Sequence, residues 1–210
     1  RGENYPELFW PYFKTDRYFT NGLSVNYHDP KLFKIFYKNR QTQKGLTLEH
    51  IIYTPAKFNQ DIPDFDRPFT SSFTLAYYTK DLRAAEQIIY SHQLQIGLQG
   101  RNSGGRTVQN FVHSLLPNSE EIDDWQFQMT TDLILNYSFE LEKGLINQNN
   151  FMLSTLIGAE VGSPQLAANA GLHLRLGKLF DRFKYEGFSA NDWTLFFYTK
   201  PRVHLSAYNT

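Results

Sequence analysis

The chain has no cysteine. That excludes a disulfide framework, a thiolate zinc site and a cysteine nucleophile. It also lacks an excess of either charge: 21 basic residues balance 21 acidic ones, for a formal charge of zero. A nucleic-acid binder would show a basic excess or stripe, so no nucleic-acid partner is expected. No apolar run approaches the ~18 residues of a spanning helix, and mean hydropathy is −0.48. A membrane β-barrel survives that test, because polar lumen-facing residues cancel the lipid face in any average. No GxSxG elbow, HExxH helix, phosphate-binding glycine loop or EF-hand loop occurs. Beginning at Arg1 without a methionine or signal peptide, the chain is expected to be a processed or trimmed form.

What the chain has in quantity is aromatic residues, 16% of the total, and long alternating runs. A weak first strand is expected at 3–10, interrupted by Pro6, followed by strands at 20–28, 46–54, 69–78 and up to Gln99. Four more follow at 125–141, 151–162, 166–177 and 193–208. In the first of these Trp125, Phe127, Met129, Leu133 and Leu135 share one face. Gln126, Gln128, Asp132, Asn136 and Glu140 share the other, with Ile134 the exception. That dyad repeat lasts about seventeen residues, where a soluble strand usually has about five or six. In a soluble barrel or lipocalin-like sandwich the apolar face would turn inward. In a membrane barrel it would face lipid, with a wet interior behind it. Strand length favours the membrane barrel, since spanning needs about 9–11 tilted residues. Tyr18, Phe19, Tyr53, Phe69, Trp125 and Trp193 at strand ends suit aromatic girdles. Asp132, Glu140, Glu160, Arg175, Lys200 and Arg202 most simply pair across the interior. His50, His92, His173 and His204 sit within strands and need no function.

One stretch breaks the two-residue period. Val108, Phe111, Val112 and Leu115 recur at helical spacing after Gly104-Gly105 and before Pro117, predicting a helix over 106–116 of about three turns. Gln109 and His113, four apart, lie side by side along the edge of its apolar face. Strand alternation places this helix on one rim with the loops at 12–19, 56–67 and 163–165. By itself, a loop histidine is more often structural or solvent-exposed than a base.

The loops carry a resemblance. Thr15-Asp16-Arg17-Tyr18-Phe19-Thr20-Asn21-Gly22, Tyr53-Thr54-Pro55, Asp66-Arg67-Pro68-Phe69, Val108-Gln109-Asn110 with His113, and Trp125-Gln126 together resemble the outer-membrane lipid A deacylase family. The resemblance implies an all-β fold, an antiparallel up-and-down transmembrane β-barrel of about twelve strands with a short helix in an extracellular loop. About nine of those strands are in this chain. It implies a single barrel domain over 1–210 in a Gram-negative outer membrane, monomeric, with lipid A or lipopolysaccharide as partner beside outer-membrane lipid. The activity implied is removal of 3′-linked acyl chains by histidine-activated water, with calcium (Ca2+) stabilising the oxyanion.

Carried over, His113 is the general base, Gln109 its neighbour, and Thr20 the site threonine. Asn4 matches the asparagine of the family's first-strand Asn-Asp pair. Lys57, Arg17 and Arg67 would bind substrate, although Asp16-Arg17 and Asp66-Arg67 read more simply as rim ion pairs. Glu120 or Glu121 matches the acidic residue after the helix and would serve the metal. The departure is at the first strand, which reads Glu3-Asn4-Tyr5: either Tyr5 stands where the family has the aspartate, so that calcium is expected to be weak or absent unless Glu120 or Glu121 substitutes, or the matching pair lies upstream of Arg1. The alternative is a catalytically impaired barrel of the same ancestry that binds or scaffolds; a soluble lipid-binding barrel ranks below it. Nine strands are also an odd number, whereas such barrels have even counts. An open sheet with its first and ninth strands unpaired, truncated at the C-terminus, is therefore expected.

Overall fold

The computed structural model describes residues 18–29, 32, 42–55, 68–115, 123–178, 183 and 195–209. The strand expected at 3–10 lies outside them. Among the described residues are strands β1 (Tyr18–His28), β2 (Thr42–Thr54), β3 (Thr70–Arg83), β4 (Ile88–Gln99), β5 (Asp132–Asn147), β6 (Phe151–Gly162), β7 (Gln165–Lys178), β8 (Leu195–Thr199) and β9 (Arg202–Asn209). The helix is α1 (Gly105–Leu115), with short 3-10 turns at Arg101–Ser103 and Asp123–Phe127. The strands form one sheet in the order β1 to β8, with β9 also beside β7. Among the described residues no ladder joins β1 to β8 or β9. The pairing of 3–10 with the last strand falls outside the description.

The chain packs as two compact units. One comprises Arg1–Asn26, Thr47–Ala76 and Ile96–Ile134; the other comprises Tyr27–Leu46, Tyr77–Gln95 and Leu135–Thr210. In both, the strands bury many polar side chains and expose many apolar ones, although Ile52, Ile89, Met152 and Leu156 are also buried. In the first unit Leu23, Val25, Phe73 and Ile96 are exposed, while Ser71 and Thr74 are buried. In the second, β6 and β7 expose Ile157, Val161, Leu172 and Leu176 and bury Ser154, His173 and Arg175. A water-soluble sheet does the reverse. The inversion is what alternation produces when one face of each strand meets hydrocarbon and the other a polar interior.

In the second unit Glu142 and His173 are a buried pair, and Glu140 and Arg202 a partly exposed one. His173 Nδ1 lies 2.8 Å from Glu142 Oε1, and Arg202 Nη1 lies 2.7 Å from Glu140 Oε2. The Arg175 guanidinium sits 4.0 Å above the Phe196 ring. A cavity of about 280 Å³ is lined by Lys80, Ser91, Glu140, Glu160, Asn169 and Arg202, among others. Leu82, Ile89, Met152 and Phe183 form a small apolar cluster in the same unit.

Three expectations need correction. The strand expected from Trp125 starts only at Asp132, because Trp125 lies in the 3-10 turn and is fully buried. As a strand residue it would have shared the face of Leu133 and Leu135, which are 76% and 59% exposed. Phe69 and Trp125 are therefore not girdle residues; they pack with Ile52 into a second small core. The strand expected over 193–208 is broken at Lys200 and Pro201. Proline has no N–H to give to a ladder, yet Leu174 faces Thr199 and Gly171 faces Arg202, the same alignment on both sides of the break.

The inversion makes a test. Ile157 is 57% exposed midway along β6. Ile157→Arg is expected to cost about 2–4 kcal/mol of folding stability in bilayers, the usual figure for a charge on the lipid face. Ile157→Leu should cost little. Equilibrium denaturation in vesicles distinguishes this from a water-exposed site, where either change would lie within about 0.5 kcal/mol.

Candidate active site

The ends of β2 and β4 and the starts of β1, β3 and β5 belong to the first unit, together with α1. The helix is reached through two residues that only glycine suits. Gly100 has φ +85°, and a Cβ there would lie 2.1 Å from the Thr130 carbonyl oxygen. A Cβ on Gly105 would lie 2.3 Å from Ser71 Oγ and 2.6 Å from Trp125 Cη2. The absence of side chains lets the helix foot press directly onto β3 and the indole.

A network of short polar contacts fixes that foot. The Gly100 N–H donates to the Ser71 carbonyl at 2.8 Å, and the Gly105 N–H to Ser71 Oγ at 3.0 Å. Ser103 Oγ contacts Ser71 Oγ and the carbonyls of Ser71 and Gly100. His50 Nε2 donates to the Ser103 carbonyl at 3.1 Å, its ring tilted against Phe73. The Arg101 N–H reaches the Met129 carbonyl at 3.1 Å, and the Met129 N–H the Phe69 carbonyl at 2.9 Å. The segment leaving the helix is thereby tied to the one entering it.

Along α1, Gly105 and Gln109 are the buried residues. Gln109 Oε1 accepts the Trp125 indole N–H at 2.8 Å, and the Trp125 ring packs on Phe69 with centroids 5.3 Å apart. Gln109 is thus spent on seating the helix, a positioning role. His113, one turn on, is half-buried. The backbone of Thr20 lies near the start of β1 in the same unit, but its side chain is outside the description. Asn4, Arg17, Lys57, Arg67, Glu120 and Glu121 also lie outside the described residues. The apolar residues of the helix are not its contact face: Phe111 and Leu115 are 63% and 67% exposed.

His50, Ser71 and Ser103 carry the helix. His50 and Ser71 are ordinary members of alternating strands, and nothing local marks them as the seat of a distant loop. Calcium takes six to eight oxygens, mostly carboxylate and carbonyl. Among the described residues no group of three His, Asp or Glu side chains could hold a metal. The two acidic residues expected to serve the metal, Glu120 and Glu121, lie outside the described residues.

A family model described as "Outer membrane protein LpxR" matches residues 8–210. The solved structure of LpxR from Salmonella typhimurium matches with a TM-score of 0.71, covering 91% of this chain and 68% of that one at 18% identity. That likeness establishes a shared fold. No curated protein matches.

Gln109→Leu should destabilise the protein by about 1–3 kcal/mol, because it strands the buried Trp125 N–H. Gln109→Glu, which keeps an acceptor, should cost less. Urea denaturation followed by tryptophan fluorescence measures both; equal losses would mean that the hydrogen bond does not seat the helix.

Proposed function

Because this chain belongs to the LpxR family of outer-membrane proteins, we propose that it hydrolyses ester-linked acyl chains of lipid A, at the 3′ position, with His113 as general base. The observation that carries this is the seating of His113. The helix bearing it is clamped to the strand ends by Ser71, Ser103 and the Gln109–Trp125 bond. A base must be held within hydrogen-bond reach of the proton it removes, directly or through one water.

The chemistry needs little else from the chain. The His113 imidazole takes a proton from water as the water oxygen attacks the ester carbonyl carbon. The tetrahedral oxyanion collapses, the C–O bond to the sugar breaks, and the departing alkoxide takes the proton from His113. Fatty acid and free hydroxyl are the products. Thr20 and Asn4 are assigned to the reacting centre, and Lys57, Arg17 and Arg67 to an anionic lipid substrate. Glu120 and Glu121 would hold calcium, which would supply positive charge near the ester carbonyl. A binding or scaffolding barrel is the second possibility, the reading that follows if Tyr5 replaces the family's aspartate.

Mass spectrometry of lipid A from outer membranes with and without this chain tests the proposal. Loss of 3′-linked acyl chains is expected with the chain present; unchanged acylation with folded protein would overturn it. His113→Ala should cut turnover by about 10²–10⁴-fold, the usual contribution of a general base, with the fold intact. Full turnover in that variant would exclude His113.

Calcium affinity is expected to be weak, and weaker still in Glu120→Gln or Glu121→Gln. Calorimetry giving a Kd tighter than about 10⁻⁶ M, in the range of dedicated calcium sensors and buffers, would contradict this.

A further inference from the structure

The helix has two flanks of different chemistry. Successive helical residues are about 100° apart, so Gly105 and Gln109 mark the contact line against the unit. His113 lies about 40° to one side of Gln109, with Arg106, Asn110 and Ser114 beyond it. Val112, Val108, Leu115 and Phe111 lie at roughly 60–160° to the other side. Phe111 and Leu115 are 63% and 67% exposed and Val108 is 37% exposed. Seating the helix on Gln109 has thus turned its apolar side out rather than in.

We propose that the Val108–Phe111–Leu115 flank of α1 is a membrane anchor, resting among the acyl chains of the leaflet that surrounds the strands. The occupant is a lipid surface, because the flank continues an interface the unit already has. Its strands expose Leu23, Val25, Phe73 and Ile96 to hydrocarbon, in a protein of the outer membrane. On the segment returning from the helix, Phe127 is 42% exposed and Leu133, the second residue of β5, 76% exposed. The chain is therefore apolar outward on the strand before the helix, on the helix, and on the segment after it. In water three large side chains on one short helix would be a liability; at a bilayer boundary they hold an amphipathic helix in the interface. This holds whether or not the chain is a hydrolase.

The lack of cysteine makes the experiment direct. Single Phe111→Cys, Leu115→Cys and Ser114→Cys variants of the full chain, carrying a nitroxide label, are reconstituted into phosphatidylcholine vesicles. Collision rates with oxygen, which concentrates in hydrocarbon, and with a water-soluble nickel chelate are read from the spin relaxation. The oxygen-to-nickel ratio should be several-fold higher at 111 and 115 than at 114. Equal ratios at the three positions would overturn the proposal. So would protection from both reagents at 111 and 115 with spin–spin broadening between chains, which would give the flank to a second copy. No step depends on activity, so a failed acyl-chain assay leaves this result standing on its own.

Discussion

The constraint on which everything else depends is that hydrocarbon cannot hydrogen-bond. A strand that crosses it must satisfy every N–H and C=O in a neighbouring ladder, at several kcal/mol for each group left unpaired. That requirement makes the strands long and keeps their ladders continuous, as along β6 and β7, paired from Phe151–Leu176 to Val161–Leu166. It also reverses the usual burial. The polar face of each strand becomes the interior, and charges such as Glu142 and Arg175 need partners there. At the strand ends the constraint relaxes, irregular backbone becomes possible, and a helix can be mounted.

The helix mount uses a different currency from the strands. Its fixed points are backbone groups meeting small side chains: two serines, two glycines and one histidine, all at close approach. The single large element is Trp125, buried between Phe69, Ile52 and the Gly105 backbone and bonded to Gln109. Mounting through a glutamine on the helix surface leaves the adjacent turn, with His113, close to the contact line without occupying it. The arrangement separates the residue that holds from the residue proposed to react.

Much of the fold was legible in the sequence because a strand between two solvents writes its environment residue by residue. Leu133 and Leu135 against Asn136, or Leu172 and Leu176 against His173 and Arg175, announce the two faces directly. The helix, too, was visible in its period, within one residue of its observed start and end. What the pattern could not show was direction and departure. Trp125 continues the alternation in the sequence yet leaves the ladder, because its burial against Phe69 is a long-range contact with no local sign. The same holds for His50 and Ser71, whose partners lie more than thirty residues away along the chain. An apolar helical face likewise says only that one side differs from the other; the Gln109–Trp125 bond decides which side is turned away.

The break at Lys200 and Pro201 has a consequence for how the last segment finds its place. β8 and β9 both lie against β7, and their alignment carries across the break: Leu174 faces Thr199 and Gly171 faces Arg202. A proline that inserted or deleted a residue would have flipped one half relative to the other. Here the two halves keep one alignment from Lys178–Leu195 to Ala167–Ser206, and the register shifts only beyond it, between Ala167 and Leu166, so the seating of either half presets the other. The notch removes a donor from the ladder without giving the strand a second way to be threaded.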